Sequence, residues 1–371
     1  MITHVLLSQT CIKMKHIVCF HLLNDYSGSP MVLRLVLEGL LKRGYRVDLV
    51  SSQGGVLEEI RGYKNYHAHH YWYKFSTNHM VTMVRYMFVQ LYTFLFAFRF
   101  AFTKNTFYIN TLLPFGPALA GRLMGKKVIY HYHENAFVKG SAYRILSKVM
   151  RLLASKIICV SEYQRNMLNK EKNVIVVPNA LNESFLTSVN PDAERTFSNQ
   201  TVLMLCSLKL YKGIREFFTL ADRLPQYHFC MVVNDTEKNM TDFLESEHLV
   251  KPDNMTLMAR VDDVAYLYND ASIVVNLSHK DLFIETFGLT AVEAMSAGLP
   301  VIVPTEGGIA ELVEDGWNGY KIDVDEIDKI KQHIDMMLSD KLLYKTLSSN
   351  ALEYAKNFDG KTMVDTVVRL L

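Results

Sequence analysis

The feature that most limits how this chain folds is an alternation of short apolar runs and helical stretches that stops once and then restarts. Residues 16–24 read as an apolar strand, and Asp25-Tyr26-Ser27-Gly28-Ser29-Pro30 is rich in turn formers. Residues 31–43 follow with apolar side chains at 32, 33, 36, 37, 40 and 41, the stripe of an amphipathic helix, which Gly44 closes. Further strands read at 45–50, 107–110, 128–132, 157–160 and 174–177. A polar stretch at 190–200 interrupts the series, which resumes at 202–206, 227–233, 255–258, 273–277 and 301–303. Strands separated by helices predict parallel sheets covered on both faces. The expectation is therefore α/β: two doubly wound domains, 14–189 and 201–357, joined by a linker at 190–200. Such sheets bind ligands beyond the carboxyl ends of their strands, so two facing domains create a cleft.

Charge divides along the same line. Residues 1–180 hold 23 Lys and Arg against 8 Asp and Glu, whereas 181–371 hold 17 against 30. A basic first domain suits nucleic acid, an anionic membrane surface or a pyrophosphate-bearing acceptor. No nucleic-acid recognition motif accompanies it, so no nucleic-acid partner is expected. The five cysteines form no CxxC pair, and four fall in strand-like runs, as buried thiols do in a reducing compartment. Residues 1–13 lack the basic start and apolar core of a secretory signal, so the cytoplasm is the expected location. Residues 80–102 are unusually apolar and aromatic. Arg85, Gln90 and Arg99 interrupt them and leave 13 uncharged residues, from Tyr86 to Phe98. Spanning a bilayer takes about 20. A core helix, a lipid-touching surface helix and a span all stay open, with Tyr71, Trp72, Tyr73 and Lys74 at the border favouring the interface.

Residues 283–316, FIETFGLTAVEAMSAGLPVIVPTEGGIAELVEDG, carry the most chemistry. Seven residues separate Glu285 from Glu293, and Phe287-Gly288-Leu289 lies between them at the start of a helix expected over 290–297. Gly288 allows close backbone approach, and a helix start offers unpaired amides with partial positive charge. Gly298-Leu299-Pro300 ends that helix, a buried strand follows, and Thr305-Glu306-Gly307-Gly308-Ile309 forms a second tight loop. The stretch resembles the donor-sugar site of retaining glycosyltransferases of family four, which have the GT-B architecture of two Rossmann-like domains. The resemblance covers most of 15–371 and is strongest from 201 to 320. It implies that Glu285 holds donor-sugar hydroxyls, that Glu293 accepts from the nucleotide ribose, and that Phe287, Gly288 and Leu289 offer amides. Cys206 to Gly213 looks like the family's phosphate-binding element. Lys212 matches its lysine, Ser207 stands where an arginine is common, and Lys209 is the candidate for the second charge. Val261, with Asp262-Asp263, resembles the loop whose backbone contacts the base. Gly28-Ser29-Pro30 resembles the N-terminal glycine loop. His133 matches a histidine placed near the anomeric carbon, with His131 as its rival. The resemblance also implies that the chain from about 358 packs back on the first domain.

These readings point to transfer of a hexose-type unit from a UDP- or GDP-sugar to a hydroxyl of a glycan acceptor, lipid-linked in view of the basic, aromatic first domain. The nucleotide sugar is a co-substrate, and no cofactor is expected. Asp323-Val324-Asp325 is formally a DxD but reads as a helix cap, and His67, His69 and His70 lack acidic or thiol partners, so no metal is expected. A sugar-nucleotide epimerase or a phosphorylase would share the architecture, as would a non-catalytic membrane-bound protein. A nicotinamide-dependent oxidoreductase lacks support, because no GxGxxG follows the first strand.

Overall fold

The computed structural model describes residues 15–136, 140–169 and 171–371. Residues 1–13, with Cys11, lie outside them; the other four cysteines are free thiols. The first sheet contains β1 (His16–Phe20), β2 (Arg46–Ser52), β3 (Tyr66–Tyr71), β4 (Thr106–Asn110), β5 (Lys127–Tyr132), β6 (Lys156–Cys159) and β7 (Val174–Val176). Their order is β3-β2-β1-β4-β5-β6-β7, and every pairing is parallel. The second sheet contains β8 (Thr201–Cys206), β9 (His228–Val233), β10 (Met255–Met258), β11 (Ile273–Val275), β12 (Val301–Val303) and β13 (Gly319–Lys321), in the order β10-β9-β8-β11-β12-β13, again all parallel. Each order reverses once, between β1 and β4 and between β8 and β11, and a doubly wound sheet opens its crevice at that point. Both domains are α/β of the expected class.

Parallel strands buried on both faces need continuous apolar runs, and β1, β4, β6 and β9 supply them. Helix α1 (Gly28–Lys42) buries Val32, Leu33, Val36, Leu37, Leu40 and Leu41 against the first sheet, as its sequence spacing predicted. The C-terminal helix Gly360–Leu370 returns to the first domain. Met363 and Val367 join the core of α1, and Asp365 pairs with Arg43 across 322 residues of sequence. Within the expected linker, Ala193–Asn199 is helical. Thr196 is tied to Tyr344 (2.9 Å) and Phe197 packs on the same ring (5.2 Å), so this segment is part of the second domain's packing.

Helix α2 (His79–Ala97) occupies most of the aromatic stretch and continues into a short 3₁₀ turn. Residues 79–100 are long and apolar enough, by length and composition, to cross a bilayer. Asn78 caps the helix by accepting from the Met80 and Val81 amides. Only Val89, Gln90, Thr93 and Ala97 are buried, so it is not the internal core helix that remained open from sequence. The remaining helices of the first domain are α3 (Phe115–Leu123), α4 (Ser141–Leu153) and α5 (Glu162–Met167).

Candidate active site

Between the two sheets lies a cavity of about 890 Å³, walled by the loops after β1, β5, β8, β9 and β11. Glu285, Lys212, His133, Val261, Phe287, Gly288, Leu289, Glu293 and Gly28 all line it. Lys209 does not: it is exposed and precedes the one-turn helix Leu210–Lys212, whereas Ser207 reaches the cavity wall. The structure thus brings together every expected site residue except Lys209.

The helix Leu289–Ser296 starts one residue earlier than its sequence implied, and Glu293 lies about one turn inside it. Gly288 is its N-cap at φ +100°, where a Cβ would press on Ile309 at 2.4 Å, so only glycine fits. Ala291 N already bonds to the Gly288 carbonyl (3.1 Å), while Leu289 and Thr290, the first two helical residues, line the ligand-sized space. The second loop buttresses the first. Gly308 N donates to the Glu285 carbonyl (2.8 Å), and a Cβ on Gly308 would fall 1.9 Å from the Thr286 carbonyl oxygen. Backbone contact on this scale fixes the position of Glu285.

Lys212 and Glu285 are bonded directly, and both side chains are largely shielded from water. Ser278 donates to the same carboxylate oxygen (3.4 Å). The Lys212 ammonium also lies 3.9 Å from the centre of the Phe283 ring, which stacks on Tyr211 at 5.0 Å. The pair therefore presents one cation and one carboxylate at the mouth of a helix, as a pyrophosphate with an attached hydroxylated sugar requires. Deeper in, Glu293 accepts from the Tyr268 hydroxyl (2.5 Å). Burial pushes the Glu293 carboxyl up, and Tyr268 partly offsets this.

The opposite wall comes from the first domain. His133 Nε2 bonds to Asn110 Oδ1 (3.1 Å), and Asn110 Nδ2 bonds to His21 Nδ1 (3.1 Å). One amide thus sets the tautomers of two rings. Burial holds His133 well below the usual histidine range, and His131 and His21 lower it further, so the ring is neutral. His131 lies beneath it, ring centres 4.2 Å apart, wholly buried and bonded to Tyr108 (2.8 Å). It does not reach the cavity, which decides between the two candidates. Two carboxylates of this domain line the cavity, and both are engaged. Glu134 accepts from the Leu112 (3.0 Å) and His133 (3.4 Å) amides, and Glu59 pairs with Arg34.

Contacts between the domains close this space, among them three made by side chains of the second domain. Thr286 donates to the His133 carbonyl (2.7 Å), Arg260 stacks on Tyr26 at 4.5 Å, and Glu311 accepts from the amides of Glu162 and Tyr163 at the start of α5. None was expected from sequence, nor were Tyr268 and Asn110, because their partners lie 23 or more residues away. The DxD reading needs correction. Asp323 caps no helix; it accepts from Thr305 and from Lys280 (2.6 Å), and the next helix begins at Ile327. Among the described residues no three His, Cys, Asp or Glu side chains gather as a metal site.

Residues 26–185 match the model of Glycosyltransferase Family 4, and residues 193–354 match that of Glycosyl transferases group 1. An uncharacterised glycosyltransferase of Methanocaldococcus jannaschii is 29% identical over 218 residues, a stretch spanning 57% of either chain. The capsular polysaccharide biosynthesis glycosyltransferase CapM of Staphylococcus aureus is 24% identical across 93% of each. In fold, Anabaena HepE, solved with UDP-glucose, aligns over 96% of this chain and 98% of its own with a TM-score of 0.78 at 18% identity. With two doubly wound sheets facing one cleft, the chain belongs to the family 4, group 1 glycosyltransferases of GT-B architecture.

Proposed function

We propose that the protein transfers a sugar from a UDP- or GDP-sugar to a hydroxyl of a lipid-linked glycan acceptor in surface polysaccharide or glycolipid synthesis. The Lys212–Glu285 pair at the mouth of the helix Leu289–Ser296 carries the reading. Lys212 and the helix amides would take the leaving diphosphate, stabilising charge as the glycosidic bond breaks. Glu285 would turn to the sugar hydroxyls, and Glu293 would accept from the ribose. His133, neutral and fixed by Asn110, would orient the acceptor or a donor hydroxyl from the other wall. Both carboxylates of the first domain that line the cavity are already bonded. That favours same-face attack assisted by the departing phosphate, with retained configuration; the proposal also takes the transfer to need no metal and to run at the cytoplasmic side of a membrane.

The test has two arms. UDP or GDP should raise the melting temperature of the wild type, and about 100 Kd of ligand would contribute roughly 2.7 kcal/mol. Glu285→Gln should keep that shift yet lose about 10²–10³ in transfer rate. The reading fails if neither diphosphate shifts melting, or if the variant turns over normally.

A further inference from the structure

Helix α2 presents a surface that the cleft does not use. Its inner stripe is anchored: Gln90 accepts from the Gly116 amide (2.9 Å), Tyr86 donates to the Leu113 carbonyl (2.7 Å), and Phe96 packs on His69 (5.2 Å). These contacts hold it flat along the first domain over its whole length. The outer stripe is apolar and open, with Met80 72%, Val84 65%, Phe88 71%, Leu91 56% and Leu95 61% exposed. At 1.5 Å per residue the strip from Met80 to Leu95 runs about 23 Å. Trp72 stands exposed beside its start and Phe102 beside its end. Isolated exposed apolar residues are ordinary, but a continuous helical face of them marks a partner.

Charge selects that partner. From Ile60 to His133 the chain has nine Lys and Arg and no Asp or Glu. Arg85 lies over the Trp72 ring at 4.8 Å, and Lys104, Lys126 and Lys127 gather with Phe102 around a shallow depression at the other end. A second copy docked face to face about a two-fold axis would set like charge against like. An anionic bilayer offers an apolar layer and opposite charge together, and each basic residue near its surface contributes about 1 kcal/mol.

We propose that α2 docks the protein on an anionic lipid bilayer, lying in the plane of the interface with Trp72 and Phe102 at its two ends. Because α2 starts near the carboxyl edge of the first sheet, docking sets the cleft mouth beside the headgroups. The proposal deepens the lipid-linked acceptor reading and rests on it for its purpose; its test reads binding alone.

Trp72 and Trp317 are the only two tryptophans, so Trp317→Phe leaves Trp72 as sole reporter in the full-length chain. Phosphatidylcholine vesicles containing phosphatidylglycerol should sediment this protein and shift Trp72 emission to the blue. Pure phosphatidylcholine vesicles should bind at least about tenfold more weakly, and added salt should release the protein. Phe88→Glu with Leu91→Glu alters only outward side chains. It should keep the melting temperature and the diphosphate-induced shift while losing vesicle binding by about tenfold or more. The proposal is overturned by no binding to anionic vesicles, by equal binding of the double variant, by salt-resistant insertion, or by a lipid-free dimer that the double variant dissociates. Loss of the diphosphate shift with vesicle binding intact would remove the transferase reading instead.

Discussion

Mild acid should weaken the first domain well before most of its carboxylates protonate. Burial pushes His21 down to about 4 and His131 down to about 3, and it holds His133 well below the usual range. Asp25 pulls His21 upward but is outweighed by desolvation. An unfolded chain protonates these rings near pH 6.5, while the folded chain keeps them neutral. Between those values the unfolded state binds more protons, so stability is complete above about pH 6.5 and falls as pH falls. At about pH 5.5, one unit below the unfolded value, His21 and His131 each forfeit about 1.4 kcal/mol, roughly 3 kcal/mol together. Burial raises Glu293 and Glu311, which act in the opposite direction: both favour the folded state more as pH falls toward their unfolded values. These two carboxyls offset part of the loss and His133 adds to it, so about 3 kcal/mol sets the scale of the drop, and the curve should flatten in stronger acid. For a domain of this size that is roughly 6–12 °C in melting temperature. Scanning calorimetry between about pH 7.5 and 5.5 reads it directly. His131→Gln leaves Tyr108 an acceptor and removes one of three titrating rings, so it should take away about a third of the drop. A melting temperature flat across this interval, or a variant with the wild-type slope, refutes the argument.

Two further outcomes follow from the interlocked loops. Gly308→Ala puts a methyl 1.9 Å from the Thr286 carbonyl, so it should cost about 1–3 kcal/mol and abolish the diphosphate-induced shift; normal nucleotide binding would show that the loops yield. Glu311→Ala removes the acceptor from the first amides of α5, a contact worth about 1 kcal/mol. Solution scattering should then report a larger radius of gyration, with a raised donor KM; an unchanged radius would mean that closure does not depend on Glu311.

What could be read from sequence depended on whether the signal was local. Strands such as β1, β9 and β12 are continuous apolar runs, and they formed where expected. Edge strand β3, Tyr-His-Ala-His-His-Tyr, has no apolar run, and β13 is three residues long; both gain their strand character from the neighbour they pair with. Glu285, Gly288 and Glu293 sit on one loop and one helix turn, so their spacing alone placed them together. The Asn110 bridge and the Glu311 cap join segments far apart in sequence, and no linear pattern reports them. Asp323 was misread because its ammonium partner, Lys280, arrives from 43 residues away. In α2 the composition was plain, but which stripe faces outward depends on where α3 packs.

The hydroxyl of Thr286 ties its own neighbour Glu285 to the carbonyl of His133. Opening the lobes would therefore part the Glu285 carboxylate from the opposing ring in a single movement. A donor admitted to the open form would meet an unassembled pocket, and stray water would find no aligned catalyst. On the proposed function, wasteful hydrolysis would be suppressed by geometry, without any separate gate.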